Sequence, residues 1–393
     1  MRHAVFLVPG FFGFERLGGV RYFRHVRQQL EAAFAMAGHE LEVFGVHTLP
    51  TASIRRRTRL LAAAMLEAKV ERFERVHVIG HSTGGLDARL LVTPGVALGR
   101  DVDRFEELVH SVVTISAPHH GTPIAAFFTQ VAGKHLLWAL TLVLIVSLSG
   151  VGGVSLAWAG RLLGWLTQLD DVFGLDATVA DYFTKKLLAD FTPARREEVR
   201  KFLGEIEQDR GSLLQLTPEA MDIFNAAVVD HPGVRYWSYL TAAPRPGPAT
   251  VWSHLARPSF YVSYPVFATM HALARGRSER YPFPELPEAL TPAAVRAFRG
   301  VPDGRDNDGV VPVLSQPWGE VAGLVRADHL DVCGHFAGTE PGGRRHTDWL
   351  SSGADFDWDD FVALYRDVAG RLLGTPLPAP PSTRVITTPW AAT

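Results

Sequence analysis

A chain of 393 residues, 47% of them hydrophobic, can bury a large core and has room for one big α/β domain or two ordinary ones. Its net charge of -2 offers no general electrostatic pull toward nucleic acid or an anionic membrane, and a single cysteine, Cys333, excludes an internal disulfide. The chain enters an apolar strand within its first few residues, too early for a signal peptide. A cytoplasmic address is the expectation, with export lacking a cleaved signal as the alternative.

Val5-Phe6-Leu7-Val8 reads as a strand buried on both faces, closed by the turn Pro9-Gly10-Phe11-Phe12-Gly13. Residues 22–38 place Val26, Leu30, Ala33, Phe34 and Ala37 on one helical face, with Gly38 as the stop. Residues 41–46 read as the next strand. Ile54, Thr58, Leu61, Met65 and Ala68 then mark a second amphipathic helix, whose Arg55, Arg56, Arg57 and Arg59 read as a solvated face.

The pattern β-α-β-α-β leads into Val76-His77-Val78-Ile79-Gly80-His81-Ser82-Thr83-Gly84-Gly85, where a buried strand meets Gly-x-Ser-x-Gly and then helical spacing. The pentapeptide alone decides little. Its strand–turn–helix setting makes it a nucleophile elbow, in which glycines let the backbone reverse sharply and leave Ser82 exposed to a substrate. In acyl-transfer sites of this kind one oxyanion donor is the N–H after the serine and the other comes from a loop after an early strand. Thr83 and Phe11 fit these roles. Residues 111–115 read as the following strand, ending in the loop Ser116-Ala117-Pro118-His119-His120-Gly121, where both histidines are expected near the rim of the site.

Pro9-Gly10-Phe11 with Gly19-Val20-Arg21-Tyr22-Phe23, then Gly80-His81-Ser82-Thr83-Gly84-Gly85, then Ala117-Pro118-His119-His120-Gly121, together resemble the bacterial true lipases (triacylglycerol lipases) of the pseudomonad kind. The likeness covers roughly the first 125 residues and resumes near the C-terminus; one departure is Pro9, where that family usually has histidine. It implies an α/β-hydrolase fold with a predominantly parallel central sheet and an inserted helical cap or lid. The expected divisions are a core in 1–123, a cap insertion in 124–230, the rest of the core in 231–374 and a Pro-rich tail in 375–393. In the middle, residues 135–160 carry no formal charge. Ser149-Gly150-Val151-Gly152-Gly153 breaks that stretch into two pieces too short to span a membrane, so an interfacial hairpin lid is expected. Thr217-Pro218 starts a capped helix, 234–240 reads as an aromatic strand, and the proline-dense sequence from there to Arg305 reads as irregular and walling the site.

Asp306-Asn307-Asp308-Gly309 follows, and Asp328-His329-Leu330-Asp331 comes 21 residues later (329 − 308), with residues 321–325 as a strand between them. The order Ser82, Asp308, His329 is that of α/β-hydrolases. The resemblance assigns Asp308 as the triad acid and His329 as the triad histidine; Asp306 and Asp303 are the substitutes for the acid. It also puts Asp331 at the family's calcium-ligand position, although the later glutamine ligand is replaced by His335 and the upstream aspartate has no clear match. Cys333 reads as packing.

The expected function is hydrolysis of lipid esters through an acyl-enzyme. No cofactor is required, and a structural calcium at Asp331 is the one metal the resemblance raises. The partners are a lipid or ester substrate and a transient lipid interface through 135–160, with no nucleic acid and no obligate protein partner. Acyl transfer, thioester cleavage and polyester cleavage would use the same residues, and a non-catalytic lipid-docking protein is the reading from another class.

Overall fold

The computed structural model describes residues 1–11, 13, 16–17, 20–98, 105–128, 211–253, 260–275, 283–338, 348–380 and 383–388, with isolated helical positions between 193 and 205. The expected hairpin in 135–160, and with it most of the expected cap, lies outside the described residues. Among those described, no helix is long and apolar enough to cross a membrane.

Seven strands form the main sheet: β1 (Arg2–Val8), β2 (Glu40–Gly45), β3 (Arg75–His81), β4 (Val109–Ile115), β5 (Arg235–Ala242), β6 (Glu320–Arg326) and β7 (Ile386–Thr387). Their order is β2-β1-β3-β4-β5-β6-β7; the first six are parallel and β7 runs antiparallel against β6. Parallel neighbours need crossovers. These are supplied in part by α1 (Val26–Met36), α2 (Ile54–Glu67) and α3 (Thr83–Leu91). Successive side chains of β1 go to opposite faces, and both faces are dry. Val5 and Leu7 join a core with Phe34, Ile79, Phe361 and Tyr365, whereas Ala4, Phe6 and Val8 join one with Leu61, Met65, Val78 and Ala88. This is why the central strands read as unbroken apolar runs.

The next helices are α4 (Pro123–Phe128), α5 (Pro218–Ala227), α6 (Phe260–Ala274), α7 (Thr291–Phe298) and α8 (Trp358–Leu373). At the start of α5 the Thr217 hydroxyl accepts from Ala220 N–H and Pro218 stands in the first turn, the capping expected from the sequence. α8 opens with a reciprocal cap between Asp357 and Asp360 and ends at Gly374, whose φ of 73° is the left-handed stop that glycine tolerates.

Two expectations need correction. The stretch read as irregular holds α6, a fifteen-residue helix with Pro265 inside it, and then α7. Proline removes one donor and disfavours a helix interior, yet Phe267 in the same helix is fully buried and packs with the main core, so tertiary packing overrides the local preference. The Pro-rich tail also contributes β7, which extends the sheet past β6. The loops after β1, β3, β4, β5 and β6 all leave the carboxyl edge of the sheet, where open parallel sheets hold their ligands. With a strand–turn–helix reversal at Ser82 on that edge, the chain has the α/β-hydrolase fold.

Candidate active site

β3 runs buried to His81, and the backbone then reverses through Ser82, whose φ of 54° and ψ of -128° lie outside the ordinary regions for a residue with a side chain. The turn holds because Gly80 and Gly84 meet face to face. A Cβ on Gly80 would collide with the Gly84 backbone, and one on Gly84 with the Val8 carbonyl. Ser82 is thereby presented to the loop after β1: a Cβ on Gly10 would stand 2.7 Å from Ser82 Cβ and 3.2 Å from its Oγ.

Ser82, Thr83, Phe11 and His329 line one cavity of about 120 Å³, comparable with the roughly 150 Å³ that holds a benzene-sized guest. Its other walls are mostly apolar, with Ile124 and Phe128 from α4, Leu213 and Leu216 from the segment before α5, and Val266 and Met270 from α6. The stretch after residue 240 therefore does wall the site, as a helix.

His329 follows β6, and its Nδ1 lies 2.8 Å from Asp308 Oδ2. Asp308 is fully buried and saturated. Its Oδ1 accepts from the N–H groups of Val310 (3.0 Å) and Val311 (2.8 Å), and Thr241 Oγ1 donates to Oδ2 at 2.8 Å. A carboxylate held this way fixes His329 with Nδ1 protonated and leaves Nε2 to take up a proton. The substitute acids point elsewhere: Asp306 receives Arg245 at 2.7 and 3.0 Å, and Asp303 pairs with the same arginine at 2.9 Å.

Several residues that build this geometry were not singled out from the sequence. Thr241, at the end of β5, also shares a 2.7 Å hydrogen bond with Ser116, and Gln316 Oε1 accepts from the Thr241 backbone N–H at 2.7 Å. Tyr22 and His81 form a second line. Burial holds the Tyr22 hydroxyl protonated, with its pKa well above the usual range, and it donates to His81 Nδ1 at 2.7 Å, while His81 Nε2–H donates to the His329 carbonyl at 2.8 Å. Burial, then the neighbouring His329, push His81 well below the ordinary imidazole range, so it stays neutral and the chain of donors has one direction.

Arg57 departs from the expected solvated arginine face, on which Arg55, Arg56 and Arg59 are indeed exposed. It is completely buried; its Nε donates to Asp87 Oδ2 (2.9 Å), Nη2 to the Pro9 carbonyl (2.6 Å) and Nη1 to the Leu49 carbonyl (2.8 Å). Residue 57 falls on the same helical face as Ile54, Leu61 and Met65, and that spacing was the available signal. Burial pushes Asp87 up to about 6 against the opposing pull of Arg57. The pair ties the loop that carries Phe11 to the helix that begins at Thr83.

His119 and His120 are not alike. His119 is turned into the core, between Thr114 Oγ1 at 3.1 Å and Arg89 Nη1 at 3.2 Å, and burial keeps it neutral; His120 is partly buried and its N–H bonds to the Ser315 carbonyl. Cys333 is buried with its thiol pKa pushed far up by burial, which fits packing.

Asp331 lies with Asp328 and Asp348 in one group, one carboxylate oxygen from each lying within 4.8 Å of the other two. Burial, then the other carboxylates, push Asp328 up to about 7 and hold Asp331 well above the ordinary carboxylate range. Oxygen donors alone, with mutual repulsion that a divalent cation would offset, fit a hard ion such as calcium. His335 stands apart from this group: its Nε2 meets the Tyr22 carbonyl at 2.9 Å and its ring stacks on Trp349.

Residues 31–134 match the family described as PGAP1-like alpha/beta domain. Over 164 residues the chain is 30% identical to a triacylglycerol lipase of Pseudomonas fragi, covering 39% of this chain and 48% of that protein. The likeness is to bacterial triacylglycerol lipases. A second, from Vibrio cholerae serotype O1, is 32% identical over 124 residues, 32% of this chain and 35% of that one. The chain thus spans about half or less of the length of these curated relatives. Among solved structures, lipase 1 from Pelosinus fermentans aligns with 94% of this chain and 98% of its own at 18% identity, with a TM-score of 0.49.

Proposed function

We propose that this protein is a serine carboxylic ester hydrolase acting on lipid esters, with Ser82 as nucleophile, His329 as general base and acid, and Asp308 as the group that orients and stabilises the imidazole. The observation that supports it most is the 2.8 Å contact between His329 Nδ1 and a saturated, buried Asp308, in a cavity shared with a serine at a strained strand–helix turn. Ser82 Oγ bonds to the substrate carbonyl carbon as its proton passes to His329 Nε2, and the carbonyl π pair moves onto oxygen. The N–H groups of Phe11 and Thr83 receive that charge. His329 then protonates the departing alcohol, and water hydrolyses the acyl-enzyme by the same route in reverse roles. The mostly apolar walls and the partial likeness to triacylglycerol lipases favour an acyl chain over a polar acyl group.

Calcium, if bound by Asp328, Asp331 and Asp348, acts from the side as a brace for the loop that carries His329 and takes no part in bond making. The test of the main reading is hydrolysis of p-nitrophenyl esters of increasing acyl length, together with mapping of the adduct formed by a serine-directed phosphonate. Ester turnover with the adduct on Ser82, both lost in Ser82→Ala, is the expected result. An adduct elsewhere, or full turnover in the variant, removes the assignment.

A further inference from the structure

Of the cavity's hydroxyls that take no part in the mechanism above, those of Tyr22 and Thr122 are committed to His81 and to the Val310 carbonyl, whereas that of Thr83 is not. Thr83 is the first residue of α3, follows Ser82 in the chain, is 1% exposed and lines the cavity with Phe11, Ser82 and His329. Its Oγ1 has no hydrogen-bond partner. Asp87 and Arg89 farther along α3 also carry unpartnered atoms but are bonded through others, and Tyr22, His81, Thr241 and Asp308 of the site are all bonded to one another or to the backbone. An unpartnered buried hydroxyl is a standing cost to the fold, and valine has the same shape without it. The cavity it lines is otherwise mostly apolar, with Ile124, Ala125 and Leu216 among its walls.

We propose that the Thr83 hydroxyl is a third oxyanion donor and hence a catalytic residue, an inference that rests on the ester hydrolase reading. When Ser82 Oγ bonds to the carbonyl carbon, the π pair moves to the carbonyl oxygen and the serine proton goes to His329 Nε2. The Thr83 O–H donates a hydrogen bond to the new oxyanion and keeps its own proton. On collapse the C=O bond re-forms, His329 gives its proton to the departing alkoxide, and the hydrogen bond relaxes. A neutral ester carbonyl accepts weakly and an oxyanion strongly, so this donor favours the transition state over bound substrate, and its desolvated resting state costs no reorganisation when charge develops. The same residue thereby serves twice, through its backbone N–H and through its side chain, and substitution can separate the two.

The experiment compares Thr83→Val, Thr83→Ser and Thr83→Ala with wild type in steady-state hydrolysis of p-nitrophenyl butyrate, rate of phosphonate inactivation at Ser82, and melting temperature. All three variants keep the backbone N–H. Thr83→Val is expected to melt at or above the wild-type temperature, to lose about 10²-fold in kcat, and to lose phosphonate reactivity in parallel, because the phosphoryl oxygen takes the oxyanion position. KM should stay within about twofold, and Thr83→Ser should recover most of the rate. Wild-type kcat in Thr83→Val overturns the proposal, as does Thr83→Ser being no faster than Thr83→Ala, or a rate loss that only follows a lowered melting temperature. If wild type neither turns over ester nor takes phosphonate at Ser82, the ester hydrolase reading itself fails; an active wild type with an unimpaired valine variant removes only the role of the hydroxyl.

Discussion

Asp308 uses both carboxylate oxygens fully, on His329, Thr241, Val310 and Val311, whereas Asp306 is committed to Arg245. Asp308→Asn should therefore lose roughly 10⁴-fold in kcat without unfolding, because the amide cannot hold the same imidazole tautomer. Asp306→Asn should stay near wild type. Turnover of both variants measured side by side decides it, and a collapse in Asp306→Asn with Asp308→Asn unaffected would reverse the assignment. Thr241→Val removes one hydrogen bond to a charged acceptor and should cost about tenfold in kcat. Asp308, His329 and Ser82 were legible because each sits in a short motif with fixed chain order. Thr241 and Ser116 were not. Nothing local marks them, and they matter only because the parallel pairing of β4 with β5 sets their hydroxyls side by side over the acid.

At the scale of elements, the site is held by ties between segments distant in sequence. Arg57 of α2 and Asp87 of α3 form a buried pair that also engages the carbonyls of Pro9 and Leu49. Arg57→Met would leave Asp87 buried without a counter-charge and two carbonyls without donors, so a loss of roughly 3–5 kcal/mol is expected in urea unfolding, against little change for an exposed Arg56→Met. An Arg57→Met protein as stable as wild type would show that the pair contributes nothing net. Most flanking helices were legible from periodicity, because one face of each packs on the sheet, and the central strands were legible as unbroken apolar runs, because a separate core covers each face of the sheet. α6 was hidden by Pro265 and by an aromatic content that suits a strand as well as a helix, and β7 by its brevity within a proline-dense tail.

For the whole molecule, acid sensitivity is built in at the edge opposite the site. Ser111, His77, His3 and His39 form a hydrogen-bonded series, with Ser111 Oγ to His77 Nδ1 at 2.7 Å, His77 Nε2 to His3 Nδ1 at 3.0 Å and His3 Nε2 to His39 Nδ1 at 3.1 Å. A neutral imidazole has one donor and one acceptor, so the series runs head to tail; an extra proton sets two donors against each other. Burial, then His39, lower the His3 pKa to about 4, and burial holds His77 well below the ordinary imidazole value. The folded state thus binds fewer protons than the unfolded chain between the free imidazole value near 6.5 and about 4, and stability is full above that window and falls with pH through it, by roughly 3 kcal/mol for His3 alone. Unfolding free energies at pH 7 and pH 5 should show this slope, and His3→Gln should flatten it; an unchanged slope would locate the acid sensitivity elsewhere. At the other edge, a chelator should lower the melting temperature, and Asp348→Asn should lower it likewise and abolish the chelator's effect. Protein purified without chelator that contains no calcium, and that added calcium does not stabilise, would remove that brace.

β7 has a consequence for colloidal behaviour. Its residues Ile386 and Thr387 pair with Leu324 and Gly323, the Thr388 N–H donates to the Ala322 carbonyl, and buried Arg371 of α8 donates to the Thr388 carbonyl at 2.9 Å. Among the described residues this short strand is the one paired to the outer edge of β6, and β6 itself is rich in apolar Val321, Ala322, Leu324 and Val325. A chain cut after Thr375 keeps every residue of the proposed chemistry but presents an open sheet edge, a template on which a second molecule can add its own strand. Such a protein should begin with normal specific activity and lose it with concentration-dependent kinetics as soluble assemblies grow in light scattering. Charged residues placed at positions 322 and 324 on that edge would trade core packing for solubility, so retaining the tail is the cheaper safeguard for anyone preparing this protein in quantity.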